Sequence, residues 1–93
     1  MKIQNMTSSN GSKVANQFII FDSEATYFQS YDSIIVKICF IEGEIGRKTF
    51  LDERYFDYSK TTSKYRNQFL GLTTKEVKAK IDSGEFVLTD LNA

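Results

Sequence analysis

Apolar and polar residues alternate through most of the first half of the chain, which is the pattern of β-strands with one buried face. The run Ile34–Ile41 differs, because it is apolar at every position except Lys37. A strand that is apolar on both faces is usually central in its sheet or covered on both sides. We therefore expect a central or doubly covered strand, with Ile34 and Val36 on one face. Lys37 should bury its stem and keep its amine in water.

Shorter runs of the same kind predict further strands around this one. The predicted strands, in chain order, are Met1–Met6, Lys13–Asp22, Thr26–Tyr31, Ile34–Ile41 and Arg47–Leu51. The first two form a hairpin, since Asn10 and Gly11 between them favour positive φ. A loose terminal arm is the alternative for the first strand, because the connecting loop is longer than two residues. Glu42–Gly46 contains two glycines and predicts the last turn of this series.

Helical spacing and capping residues follow these strands. Ser59–Ser63 offers several N-caps, and a cap at Thr61 or Thr62 predicts a short helix near 62–70. Gly71 is then the C-terminal stop, because glycine readily adopts the left-handed conformation that ends many helices.

A second helix and one more strand complete the predicted fold. Thr73 and Glu76 have the spacing of a capping box, which predicts a helix near 74–82. Residues 85–91 predict a closing strand that returns to the sheet, with an early strand as one possible neighbour. The order predicts an α+β domain, with a mainly antiparallel sheet of about five or six strands and both helices on one face. We expect residues 1–93 to form a single domain.

Charge is balanced overall but segregated along the chain. Twelve basic and twelve acidic residues give a net charge of zero, which argues against a general polyanion binder. Residues 22–57 carry eight acids and four bases, whereas residues 58–75 carry four bases and no acid. The molecule should therefore have one acidic region and one basic segment.

Most catalytic equipment is missing from the sequence. It contains no histidine, a single cysteine and no glycine-rich phosphate loop. Asp52, Glu53 and Asp57 offer oxygen ligands for Mg²⁺ or Ca²⁺, but their spacing matches no metal-binding loop, and a solvated loop is the alternative. We expect no cofactor, no bound metal and no enzymatic activity.

The single cysteine and the lack of long apolar runs bear on location. Cys39 excludes an intrachain disulfide and is expected to be buried as a small apolar residue. We expect no signal peptide and no membrane contact, because no apolar run approaches the about 20 residues of a membrane span. A reducing bacterial cytoplasm is the expected compartment.

The most conspicuous candidate site is the segment Tyr55–Gly71, where tyrosines and hydroxyls lie among cations. Its candidate binding residues are Tyr55, Tyr58, Lys60, Thr61, Thr62, Lys64, Tyr65 and Arg66. Tyrosines next to cations can stack on bases while the cations meet phosphates. Hydroxyls at a helix start can also bind an anion. The alternative is that the aromatic residues pack the helix on the sheet, the hydroxyls cap it, and the cations Lys60, Lys64 and Arg66 are solvated.

Four stretches of the chain carry a resemblance: Val14–Phe18, Tyr27–Ile35, Leu51–Gly71 and Ser83–Asn92. They resemble small uncharacterised proteins encoded by phages, plasmids and other mobile elements of low-GC Gram-positive bacteria. This resemblance implies a setting inside a host bacterial cell. Small proteins of that kind often act by binding, and some block host defence nucleases while others help replication or transfer.

These observations together predict a non-enzymatic binding protein that acts on a host macromolecule. Its partner would be a host or element-encoded protein, and one version is an inhibitor of a host defence protein that presents residues 22–57 to a basic channel. The alternative is a single-stranded nucleic-acid-binding accessory protein that uses the Tyr55–Arg66 segment. A third possibility is an enzyme or small-ligand sponge at the hydroxyl-rich helix start. The oligomeric state stays open, because an exposed strand edge permits pairing between copies.

Overall fold

The computed structural model describes residues 1–40 and 46–92. Most of the predicted turn Glu42–Gly46 therefore lies outside the described residues. The elements are β1 (Lys2–Thr7), β2 (Lys13–Phe21), β3 (Ala25–Ser30), β4 (Ser33–Phe40), β5 (Arg47–Asp52), α1 (Lys60–Leu70), α2 (Thr74–Asp82) and β6 (Phe86–Thr89). The predicted α+β class is confirmed, and the first strand is part of a hairpin rather than a loose arm.

All six strands belong to one sheet, in which each strand lies beside its neighbour in sequence. β1 to β5 form an antiparallel meander, and β6 pairs with β5 in the parallel direction. A parallel pair needs a long crossover connection, and α1 and α2 supply it here. The closing strand therefore lies beside β5 and not beside an early strand.

One β-bulge changes which residues of β4 share a face. Phe28 pairs with Val36, but the next residue of β3, Gln29, pairs with Ile34, so Ile35 is an extra residue. Phe28 and Gln29 point to opposite faces of the sheet, and so must Val36 and Ile34. The prediction that Ile34 and Val36 share a face is therefore wrong, because strict alternation does not survive a bulge.

The core lies between the sheet and the two helices. Phe28, Val36 and Leu51 are direct neighbours on three adjacent strands, and all three are fully buried. Phe69 of α1 stacks on Phe28 with ring centroids 5.8 Å apart, and Val77 of α2 joins the same cluster. Burying a side chain of this size is worth about 1.5–3 kcal/mol, so this cluster fixes both helices on one face.

Helix α1 begins earlier than the sequence predicts. Ser59 is the N-cap, and the backbone N–H of Thr62 donates to its Oγ at 3.1 Å, so neither Thr61 nor Thr62 is the cap. Gly71 ends the helix in the left-handed conformation at φ 71°, as predicted. Helix α2 begins with the predicted capping box, in which Thr73 and Glu76 exchange side chain–backbone hydrogen bonds.

A buried carboxylate closes the sheet at the end of β5. Asp52 is 1% exposed, and its Oδ1 accepts from the backbone N–H of Leu91 and from Asn92 Nδ2, at 2.9 and 3.0 Å. Its Oδ2 accepts from the backbone N–H groups of Arg54 and Tyr55, at 3.1 and 2.9 Å. The expectation of a fully solvated acidic loop is thus wrong at Asp52, because this carboxylate holds the segment after β6 against the end of β5.

We predict that Asp52→Asn lowers the free energy of unfolding by about 2 kcal/mol at neutral pH, since an amide cannot accept all four hydrogen bonds. Burial alone would raise the pKa of Asp52, but the hydrogen bonds from Leu91, Asn92, Tyr55 and Arg54 hold that pKa below its ordinary value. The carboxylate therefore stabilises the fold above the unfolded pKa of about 3.9, and this contribution is lost as pH falls through the folded pKa.

Urea unfolding of both proteins between neutral pH and about pH 3 measures this effect. The difference between wild type and Asp52→Asn should shrink as the pH falls. Glu53→Gln at the exposed neighbour is the control and should stay within about 0.5 kcal/mol of wild type. A difference that stays constant over the whole pH range would contradict the role assigned to the carboxylate.

We also predict that Gln17→Met stabilises the protein by roughly 1–2 kcal/mol. Gln17 is fully buried, and its side-chain amide has no hydrogen-bond partner among the described residues. Burying an unsatisfied polar group costs about 1–3 kcal/mol, and Met has a similar shape without that cost. Thermal and urea unfolding test this, with Gln4→Met at an exposed position of β1 as the control. A clear loss of stability in Gln17→Met would show that the amide is satisfied in solution.

Candidate functional site

The predicted site segment does not form one surface in the structure. Tyr65 is 5% exposed, Thr62 is 1% exposed and Arg66 is completely buried. Tyr55 is half-buried and packs against the core. The remaining candidates are exposed: Tyr58, Lys60, Thr61 and Lys64. Half of the predicted binding residues are therefore inside the protein or against its core, and the others are scattered polar groups and one tyrosine.

Arg66 lies at the centre of a hydrogen-bond network between the helices. Its guanidinium donates to the backbone carbonyl of Phe56, and to Asp57 Oδ1 at 3.3 Å. It also donates to Asn67 Oδ1 at 2.9 Å and to Thr74 Oγ1 at 3.1 Å. The alternative that Arg66 is a solvated cation is therefore wrong, and as a candidate binding residue it is completely buried. Five N–H donors in one rigid fork let a single residue join the loop before α1, α1 itself and the start of α2.

The hydroxyl groups at the start of α1 are also used by the fold. Thr62 Oγ1 lies 2.9 Å from Ser30 Oγ of β3 and accepts from Ser59 Oγ at 3.1 Å. Ser63 Oγ donates to Asp57 Oδ1 at 2.6 Å. That hydrogen bond and the nearby Arg66 charge lower the pKa of Asp57, against the raising effect of desolvation. A carboxylate thus occupies the place where the anion-site hypothesis needs a bound anion.

The surface that the structure leaves uncovered is the side of the sheet opposite the helices, which we call the open face. Phe28 and Val36 point toward the helices, so their neighbours in sequence, Tyr27 and Lys37, point to the open face. Strand register then places six side chains in one row, with one on each strand from β1 to β6. The row is Ile3, Ile20, Tyr27, Lys37, Phe50 and Val87.

This central row is mostly apolar although no described helix covers it. Ile3 is 61% exposed, and the other five side chains are half-buried. Five of the six are aliphatic or aromatic, and Lys37 lies in the middle between Tyr27 and Phe50. A contiguous apolar patch on a small protein commonly marks an interaction site.

Two further rows extend the open face on either side of the central row. One contains Asn5, Phe18, Gln29 and Ile34, and the other contains Ala25, Cys39 and Lys48. The lysines of these rows are Lys37 and Lys48. Asp52, two residues after Phe50 on β5, lies on the same side of the sheet, but its carboxylate is 1% exposed.

Two shallow depressions lie on the open face. The larger, of about 390 Å³, is lined by Ser23, Glu24, Tyr27, Lys37, Cys39 and Phe40. The smaller, of about 200 Å³, is lined by Ile3, Phe18, Ile20 and Gln29. Glu24 is exposed at the rim of the larger one and contributes a carboxylate to the same lining as Lys37. The open face therefore combines two shallow depressions with an aromatic and cationic centre.

Sequence reasoning missed this surface because it treated doubly apolar strands as covered strands. The signal was present in β2, where Phe18 and Ile20 face one way and Ile19 and Phe21 face the other. Helices of 11 and 9 residues are too few to cover both faces of such a sheet. A comparison of the helical length available with the two apolar faces of the sheet would have shown that one face stays uncovered.

The described residues contain no group of three or more His, Cys, Asp or Glu side chains placed to hold a metal ion. In the same part of the chain, no helix is long and apolar enough to cross a membrane. The fold and surface define a small α+β domain with one uncovered aromatic sheet face. The chain belongs to a family of unknown function, DUF8033, whose family model matches residues 1–85. No curated protein and no solved structure matches the chain.

The family description states neither an activity nor a source organism. The resemblance to proteins of phages, plasmids and other mobile elements therefore stays a prediction.

We predict that Arg66→Met lowers the free energy of unfolding by about 3 kcal/mol, because it removes every hydrogen bond of a buried guanidinium while keeping the apolar stem. Urea and thermal unfolding measure the change. Lys64→Met, two residues away on the exposed side of α1, is the matched control and should stay within about 0.5 kcal/mol of wild type. Equal small effects of both substitutions would contradict the structural role of Arg66.

Proposed function

We propose that this protein is a non-enzymatic binding protein that engages a macromolecular partner through the open face of its sheet. The observation that carries the proposal is the row from Ile3 to Val87, in which apolar and aromatic side chains surround Lys37 and no helix of the described part of the chain covers them. Burying apolar surface is worth about 25 cal/mol per Å², so such a face gains free energy when a partner covers it.

The use of the buried ionisable groups supports binding rather than catalysis. Asp52 and Arg66 form their hydrogen bonds inside the protein, with the backbone and with neighbouring side chains. Cys39 is 7% exposed. Groups already satisfied by the fold are poorly placed to exchange protons with a substrate.

The inhibitor version of this function gains little support from the position of the acidic residues. Asp22 and Glu24 lie in the turn between β2 and β3, whereas Asp32 lies between β3 and β4 and Glu53 follows β5. Antiparallel topology puts these two groups at opposite ends of the sheet. The described acids of residues 22–57 thus do not form one surface for a basic channel, and the open face is the better candidate for contact with a partner.

The cellular setting of the proposal comes from the resemblance to mobile-element proteins. It comprises the cytoplasm of a host bacterial cell and a host or element-encoded macromolecule, with a host defence protein as one version. Family membership neither supports nor contradicts this setting.

We predict that a partner captured from host lysate is lost when the open face is altered. The double substitution Tyr27→Ser and Phe50→Ser removes two aromatic side chains from the centre of the row. Tyr58→Ser removes an aromatic side chain that is 68% exposed elsewhere, and is the matched control. Capture is performed with and without nuclease, and circular dichroism checks that each variant is folded. A partner kept by the double variant but lost with Tyr58→Ser would contradict the proposal.

A further inference from the structure

We infer that the partner of the open face is a single-stranded nucleic acid, an inference that rests on the proposed function and names the ligand class. The strand register places Tyr27, Lys37 and Phe50 side by side on β3, β4 and β5. Neighbouring strands are about 4.8 Å apart, so the two aromatic side chains lie roughly 10 Å apart with the ammonium stem between them. Aromatic platforms beside a cation are how sheet surfaces hold unpaired bases and their phosphates.

The charge at the centre of the open face matches an anionic ligand. Lys37 lies there between Tyr27 and Phe50, and the carboxylate that β5 adds on this side, Asp52, is 1% exposed and accepts hydrogen bonds from within the protein. The net charge of the whole chain is zero, so long-range attraction to nucleic acid is weak, and affinity has to come from short-range stacking with few phosphate contacts. Glu24 at the rim opposes such a ligand and provides a charge that can be removed by mutation.

A second copy of the chain fits this face less well. Six strands and three rows span on the order of 500 Å², below the about 800 Å² per partner of a standard protein interface. A two-fold axis that runs along the row would also bring Lys37 against the same lysine of the other copy, and like charges across an interface are unfavourable. A single-stranded nucleic acid needs neither an interface of that area nor a two-fold axis.

Unpaired bases fit better than a duplex. In a duplex, each base is covered on both sides by its neighbours, whereas a single strand can place base faces on Tyr27 and Phe50. The sheet presents these side chains on a broad surface with only shallow depressions, so residues 1–40 and 46–92 offer no element that would enter a duplex groove.

Fluorescence anisotropy of a labelled oligothymidine of about 15 nucleotides tests the inference, with oligouridine and a duplex of the same length as comparisons. Both single strands should bind, and the duplex should bind about tenfold more weakly or not at all. With about two phosphate contacts, affinity should fall roughly sevenfold between about 50 and about 200 mM NaCl.

Conservative variants separate stacking from charge. Phe50→Leu and Tyr27→Leu keep apolar volume but remove the rings, and each should weaken binding roughly 5- to 100-fold. Lys37→Met should reduce the salt slope by about 0.7 in logarithmic units. Glu24→Gln should tighten binding at low salt, which a merely structural substitution would not do. Tyr58→Leu and Lys60→Met lie outside the open face and should leave the affinity unchanged.

Three outcomes would overturn the inference. Absence of single-strand binding at low salt, while lysate capture still depends on Tyr27 and Phe50, refutes the ligand class and leaves the proposed function standing. If the wild-type protein self-associates in sedimentation experiments and Phe50→Leu abolishes this, the open face binds a second copy of the chain. Equal affinity for duplex and single strand, insensitive to the leucine variants, assigns binding to charge outside the open face. If the wild-type protein neither captures a partner nor binds a single strand, the proposed function is refuted as well.

Discussion

The two helices α1 and α2 can cover only one side of the sheet, and the architecture depends on this constraint. Six strands make a sheet about 24 Å wide, and two helices side by side, each about 10 Å across, span nearly that width. Phe69 and Val77 commit both helices to the side that contains Phe28. On the opposite side, neither described helix covers the apolar rows, so the residues that build the fold and those available for recognition lie on separate surfaces.

Two buried ionic groups keep this division in place. Asp52 joins β5, the loop that follows it and the segment after β6, while Arg66 joins that same loop to both helices. Buried charges are tolerated when hydrogen bonds replace the water they lose. Here those bonds connect parts of the chain that lie far apart in sequence, and the whole crossover from β5 to β6 is held through them.

Much of the fold follows from local sequence patterns, and the exceptions have a common cause. Alternation located the strands, and capping spacing located α2, because both depend on residues a few positions apart. The burial of Arg66 was not predictable in this way, since its partners come from Phe56, Asp57 and Thr74 and become neighbours only in the folded chain. Sequence alone cannot distinguish such a buried arginine from the exposed cations Lys60 and Lys64 of the same helix.

The candidate surface shows the same limit more strongly. Tyr27, Lys37 and Phe50 are separated by ten or more residues in sequence and meet only through strand register. Register depends on bulges such as that at Ile35, and a shift of one residue would move each side chain to the other face. The residue types of the open face were visible in the sequence, but their arrangement in one row was not.

The parallel pairing of β6 has a consequence for the order in which the molecule assembles. β1 to β5 pair with sequence neighbours through connections that are short in sequence, so the entropy cost of closing each loop is small. β6 finds its place only after the chain has crossed residues 53–85, and its contact with β5 is the most distant in sequence of the strand pairs. During synthesis the meander can therefore form first with an unpaired β5 edge, and docking of β6 is the step that removes this edge from contact with other chains.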